Sequence, residues 1–298
     1  MTGPANMEGG RNVKLKLRNL IMTIHSRGLP LLGMLFLSMM WQAAYGNDRF
    51  FSAKGFDTSL YAGFENFRWQ EFDDDGQRLL TEQGPRYVLG ASLFNRDRQA
   101  SGLVYDIDLR AYVGKVDYDG QDSQGIYTST DSNYQGGRAE LTGGYRWQST
   151  YSSVTALDLL LTLGADAWQR DIDDGVNANG FPISGLKEDY VVYFGKAGLG
   201  AQWQHTSFSS YLQLGMKKPF STREKVDVFD VTLSPGKKWS AYASYTLKMG
   251  GEGRRSYIAF YYDTYRFSKS SPKSIGSGIV WQPESDMDVA GVSFGYVF

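Results

Sequence analysis

The chain has 298 residues with 31 basic and 32 acidic side chains, so it lacks the basic surplus of a nucleic-acid-binding groove. It contains no cysteine, which excludes disulfides and thiolate metal centres. Its 35 glycines and 15% aromatic residues suit strands and turns better than long helices.

The first element is an apolar run from Leu29 to Trp41, preceded by Arg27 and followed by Ala44-Tyr45-Gly46. A basic start, a short apolar core and small residues before the cut predict a secretory signal peptide over 1–46. A transmembrane helix needs roughly 20 apolar residues, more than this run supplies. A start at Met22 would give the signal an ordinary length. The leader carries five basic residues and one acidic, so the processed chain, 47–298, would be more acidic than the whole. No apolar stretch after residue 46 is long enough to cross a bilayer as a helix.

The rest of the chain reads as strands. Residues 105–114 set Tyr105, Ile107, Leu109, Ala111 and Val113 against Asp106, Asp108, Arg110, Tyr112 and Gly114. Period-two alternation of this kind marks a strand with two different faces. The pattern returns over 138–147, where Ala139, Leu141, Tyr145 and Trp147 oppose Arg138, Glu140 and Arg146. It returns again over 239–248, where Trp239, Ala241, Tyr245 and Leu247 oppose Ser240, Ser244 and Lys248. The uncharged faces run for the ~9–11 residues that a tilted strand needs to cross hydrocarbon.

Ten strands are predicted, at 59–70, 85–94, 103–114, 137–147, 155–169, 190–203, 208–217, 239–249, 256–267 and 287–298. Eight and twelve remain open, because Val226–Leu233 and Ile279–Gln282 would serve as two more strands or as extensions above a membrane. A soluble sandwich and a membrane barrel give the same alternation, with a second sheet or lipid against the apolar face. Aromatics at the ends of the apolar faces, a secretory leader and connections alternating between short and long favour the membrane. The longest connections are predicted at 115–136 and 218–238.

The last strand carries the most specific signal. Ala290, Val292, Phe294, Tyr296 and the final Phe298 form one apolar face, with Gly291, Ser293 and Gly295 between them. A closing strand of this form resembles the signal that bacterial outer-membrane barrels present to their assembly machinery, with Phe294, Tyr296 and Phe298 as the residues read. Residues 47–298 as a whole resemble the small outer-membrane β-barrels, the OmpA/OmpX-type and opacity-porin-like group. The resemblance implies an all-β, closed antiparallel transmembrane barrel in the outer membrane of a Gram-negative cell envelope. It leaves the activity open, since that group shares architecture more than function.

Candidate chemistry is sparse. Only His25 and His205 occur; the first falls in the leader and the second in a predicted periplasmic turn. Barrel hydrolases and acyltransferases rely on a histidine beside a serine or carboxylate, and a nucleophile without its base is weak. The expectation is therefore no enzyme, no catalytic residue and no cofactor. Asp106 and Asp108 share a face, roughly 6.6–6.8 Å apart along the strand. Arg110 follows them, and Arg138 and Arg146 lie on the next strand, which favours an ion network over paired acid–base work.

The predicted lumen network comprises Glu65, Arg68, Asp106, Asp108, Arg110, Arg138, Glu140, Arg146, Asp158, Asp166, Lys196, Asp263 and Arg266, with Lys217 and Lys248 near strand ends. Acids and bases in near-equal number suggest mutual pairing, because an unpaired charge in a narrow lumen carries a desolvation penalty. Strict alternation would turn Arg68 toward lipid, so β-bulges at 65–66 and 263–264 are predicted to bring Arg68 and Arg266 inside.

Three predicted outer loops are acidic, with 71–82, 115–134 and 170–189 summing to −4, −3 and −3, whereas 217–238 sums to +3. Asp-Gly is ordinary turn chemistry and none of the three has EF-hand spacing, so no metal site is expected. Basic residues at an outer rim suit lipopolysaccharide phosphates. The expected protein is a structural or surface-interaction barrel with a salt-bridged lumen and long extracellular loops, touching outer-membrane lipid and lipopolysaccharide. The alternative is a narrow, porin-like passive channel for small solutes, since ten strands leave a narrow opening at most.

Overall fold

The computed structural model describes residues 55–121, 125–150, 154–250, 255–276 and 278–298. The predicted signal peptide, 1–46, lies outside the described residues. Ten long strands follow one another: β1 (Asp57–Phe72), β2 (Arg78–Phe94), β3 (Gly102–Gln121), β4 (Tyr127–Gln148), β5 (Ala156–Ile172), β6 (Leu186–Gln204), β7 (Phe208–Val226), β8 (Ser240–Met249), β9 (Arg255–Phe267) and β10 (Glu284–Val297). Each pairs antiparallel with its sequence neighbours. β1 also pairs with β10, from Ser59 opposite Val297 to Phe72 opposite Glu284. That last ladder closes the sheet into a barrel without edges.

Neither of the two segments expected as further strands or extensions crosses the barrel. Val231–Leu233 folds back along the outer end of β7, and Gly278–Val280 forms a small separate hairpin with Lys273–Ile275. Among the described residues ten strands form the closed wall.

The end that carries the termini is the periplasmic end of such barrels. In this half the outward side chains form an apolar belt, including Leu103, Ile107, Leu109 and Val113 on β3 and Leu157, Leu159, Leu161 and Leu163 on β5, all exposed. Aromatics flank it, with Tyr145 and Trp147 at one edge and Tyr193, Phe220 and Trp239 toward the other. An apolar surface of this extent needs a hydrocarbon neighbour.

Above the belt the strands continue rather than giving way to long loops. β3 runs on to Gln121 and β4 resumes at Tyr127, so most of 115–136 is hairpin stem. Here the polarity of the faces inverts. Lys115, Asp117 and Asp119 point out, while Val116 and Tyr118 are buried inside. The barrel is therefore taller than the membrane, and water takes the place of lipid around its upper half.

The acidic segments are mostly turn and stem. Asp73 accepts hydrogen bonds from the amides of Asp75 at 3.0 Å and Gln77 at 2.7 Å, an Asx turn that closes β1 onto β2, with Gly76 at φ 76°. Asp173 and Asp174 accept from Asn133 and from the Gly185 amide. Among the described residues no acidic or imidazole cluster is arranged to hold a metal ion.

Candidate functional site in the barrel lumen

From the periplasmic mouth upward, the interior is filled in layers. The connection after β2 makes a single 3-10 turn, Arg96–Arg98, that reaches across the mouth. Arg96 pairs with Asp106 at 2.8 Å and stacks over the Tyr211 ring on β7. Asp97 holds Lys248 of β8 at 2.7 Å and Arg255 of β9 at 2.8 Å. Arg146 forms a two-pronged pair with Asp158 at 2.7 and 2.8 Å and donates to the Arg96 carbonyl at 2.7 Å. Side chains from opposite walls thus meet over the opening.

The middle layer holds most of the predicted network. Arg138 pairs with Asp166 at 2.7 Å, with Asp263, and with Glu140 at 3.6 Å. Lys196 reaches Glu140 at 2.7 Å, and Lys217 reaches Asp263 at 2.6 Å. Glu65 pairs with Arg86 and accepts from the Tyr261 hydroxyl at 2.8 Å. Asp106 and Asp108 share a face yet take different partners. Asp108 accepts from Tyr61 and Ser92 and lies 3.8 Å from Arg110, while Asp106 belongs to the plug below. The tyrosines lie flat on the wall, and a Cβ on Gly90 would sit 2.1 Å from the Tyr61 ring.

Two predicted members sit on the other side of the wall. The ladders run without a shift through Glu65, Asn66, Asp263 and Thr264, so the expected bulges do not exist. Arg68 and Arg266 therefore face outward, where both grip Asp288 at 2.6 Å. The aromatics beside them, Phe67, Trp69, Tyr265 and Phe267, face the lumen instead. The physical reason is the polarity inversion. At this height the lumen is the dry side, so strict alternation already puts each group where it is stable. The observed shifts lie elsewhere, between Glu71 and Phe72 and between Tyr193 and Phe194, the latter beside Pro219 on β7.

Those aromatics belong to a third layer. Phe67 lies 4.5 Å from Tyr134, Trp168 stacks on Tyr190 at 4.8 Å, and Trp69 lies 5.6 Å from Tyr190 and 6.0 Å from Phe267. The rings come from β1, β4, β5, β6 and β9 and are almost fully buried. They pack as a hydrophobic core would.

Above them sits a polar layer that the sequence did not disclose: Glu71, Glu82, Glu188 and Glu224 around Arg170, all buried. These residues fall in the segments predicted as outer loops. The usable signal was continued alternation, with Glu188, Tyr190, Val192, Phe194 and Lys196 on one face of β6. Arg86, Arg96, Asp97 and Arg255 were missed as well, the first at a strand start and the others in or beside turns.

A closed ten-strand meander with an apolar belt and a tall polar crown has known counterparts. The outer membrane protease OmpT from Escherichia coli aligns over 82% of this chain and 96% of its own, with a TM-score of 0.52 and 8% identity. The fold is that of a bacterial outer-membrane β-barrel. Other outer-membrane barrels align more loosely. Ail of Yersinia pestis covers 82% of this chain and 100% of its own, at TM-score 0.32 and 12% identity. OprG from Pseudomonas aeruginosa covers 83% and 98%, at 0.33 and 13%. No family model and no curated protein matches the chain by sequence. At such identities the likeness concerns the backbone, and the chemistry of this outer-membrane barrel rests on its own side chains.

Among the described residues the only histidine is His205, in the β6–β7 turn, stacked on Phe208 at 4.2 Å. The closing strand presents Phe294 and Tyr296 outward, and the Phe298 amide donates to the Thr58 carbonyl at 2.9 Å, tying the chain end to β1.

Proposed function

We propose that this protein is a closed, non-conducting and non-catalytic barrel that holds a rigid extracellular crown above the outer membrane and contacts lipopolysaccharide at its rim. The observation that carries the reading is the packed aromatic layer. Trp69, Trp168, Tyr190 and Phe267 meet ring against ring across the lumen. A water-filled route would have to pass through buried rings and then through the ion-paired plug at Arg96 and Asp97. Charges of both signs pair locally instead of forming the one-sign ring of a selective pore.

The rim reading rests on β7 and the segment after it. Lys218 stacks on Trp239 at 5.1 Å beside Lys237, and Arg223 is exposed further up β7, while Lys238 is paired with Glu284 at 2.6 Å. Ammonium and guanidinium groups beside an aromatic girdle suit phosphorylated headgroups. The outward face of Phe294 and Tyr296 suits recognition by barrel-assembly machinery before the β1–β10 ladder closes.

Planar-bilayer recording of the folded barrel tests closure. No unitary steps above background are expected. Steady steps that change with Arg110→Ala would replace this reading with a passive channel for small solutes. Binding to lipopolysaccharide should weaken on removal of its phosphates and in Lys218→Ala combined with Lys237→Ala. Turnover of peptide or acyl-ester substrates by the purified protein would refute the non-catalytic part.

A further inference from the structure

The polar layer above the aromatics is unbalanced. Arg170 donates through Nε to Glu82 at 3.1 Å and through Nη1 to Glu71 at 3.1 Å and Glu188 at 2.9 Å. Glu82 also accepts from Ser132 and Tyr134, Glu71 from Trp69 and Gln282, and Glu188 from Tyr190. Glu224 faces the Tyr190 hydroxyl, but that hydroxyl donates to Glu188. Both of its carboxyl oxygens are buried without a hydrogen-bond partner, and its residue exposure is 0%. Arg170 Nη2 is also unpartnered, so the one cation of the layer does not bond Glu224.

An ionised carboxylate buried without a bonded counter-charge is costly, and proteins escape that cost by keeping the group neutral. Glu224 has a structural neighbour that would feel the difference. The backbone of Leu233 pairs directly with that of Glu224, and Val231–Leu233 lies as a short cap strand along the outer end of β7. Leu233 is buried, at 1% exposure.

We propose that Glu224 stores a proton, and that this neutral acid latches the cap strand Val231–Leu233 onto the barrel, so that ionisation releases the cap. The groups that face Glu224 are Glu188 and Tyr190 from β6, Arg170 from β5, Glu71 from β1 and, through Arg170, Glu82 from β2. The cap strand, Val231, Thr232 and Leu233, brings no charge of its own. The site lies above the membrane belt, flanked on its own strand by the outward Arg223 and Lys225.

Burial, and then the charges of Glu188 and Glu71, push the Glu224 carboxyl up to about 10 against the opposing pull of Arg170. Burial raises Glu188 as well. The sign follows from linkage. The folded state keeps a proton that the unfolded chain releases near the ordinary glutamate value, so the stabilisation is complete in acid and is lost as pH rises toward about 10.

Infrared spectroscopy of the folded protein should show a protonated-carboxyl carbonyl stretch at neutral pH that Glu224→Gln removes. Amide hydrogen exchange of Val231–Leu233, taken as the ratio of wild type to Glu224→Gln, should be near one at about pH 4 and rise with pH above that, by at least about tenfold at about pH 8. The ratio cancels the intrinsic pH dependence of exchange. Glu188→Gln removes a nearby like charge, so in that variant the carboxyl band should be lost at lower pH and the alkaline rise in cap exchange should be smaller. This second variant keeps the test decisive if Glu224→Gln fails to fold. A neutral-pH spectrum without the band, a ratio that stays flat, or a band whose pH midpoint is unmoved in Glu188→Gln would each overturn the proposal.

Discussion

On β3 below Val113 the apolar side chains face out and Asp106, Asp108 and Arg110 face in. Above it Lys115, Asp117 and Asp119 face out and Val116 and Tyr118 face in. The same exchange occurs on β1 between Phe64 and Phe67, on β5 between Ala167 and Trp168, and on β10 between Ala290 and Val289. One sheet therefore serves two solvents. In the lower half lipid takes the greasy face and ion pairs fill the lumen. In the upper half water takes the polar face and the lumen becomes an aromatic core. The continuous backbone ladders carry the change without a break in the hydrogen-bond register of β1, β3, β5 or β10 at that height.

The largest expected effect breaks the upper core. Trp168→Ala removes a ring stacked on Tyr190 and should cost about 3–5 kcal/mol, the range for deleting a buried aromatic. Chemical denaturation of the barrel in vesicles, followed by heat-modifiable gel migration, reads this directly. Trp168→Phe should cost clearly less, because the indole Nε1 has no hydrogen-bond partner to lose. Equal costs would mean that the layer is not packed as a core. Conductance should appear only when Trp69→Ala and Trp168→Ala are combined with Asp97→Ala, which also opens the plug.

The next effect separates the two outer faces. Leu161 lies in the belt at 63% exposure, so Leu161→Arg should destabilise by about 2–4 kcal/mol if lipid covers it. Asp117→Arg, outward on the crown with no contact to break, should stay within about 0.5 kcal/mol. The same denaturation assay serves both. Comparable values for the two would place the water line elsewhere.

This division explains what was legible beforehand. Strand number, closure and the periplasmic strand ends follow from alternation, because lipid demands an uninterrupted apolar face such as Leu157 to Leu163 or Ala290 to Tyr296. The middle ion network around Arg138, Asp166 and Asp263 follows from the same parity. The crown was misread because the rule was applied with a fixed sign. Once water replaces lipid, an outward Asp117 or Asp171 looks like loop chemistry, and inward glutamates at positions 71, 82, 188 and 224 look like more of it. The plug was missed for a different reason: Arg96 and Asp97 act from a turn, where periodicity carries no information about direction.

The smallest effect bears most directly on that sign. Had Arg68 been a lumen residue, removing it would strand a buried carboxylate, at about 3–5 kcal/mol. It stands outside instead, 45% exposed and paired with an Asp288 that Arg266 also holds. An exposed pair of this kind contributes about 0–1 kcal/mol, so Arg68→Ala should barely move the denaturation midpoint. The native chain has no cysteine, which makes the geometry open to single-site labelling. Cysteine at position 68 should react with a membrane-impermeant maleimide on intact cells, and cysteine at position 69 should not. Reversal of that pair would restore the bulge at 65–66, turn Trp69 outward, and remove the aromatic layer on which closure of the lumen rests.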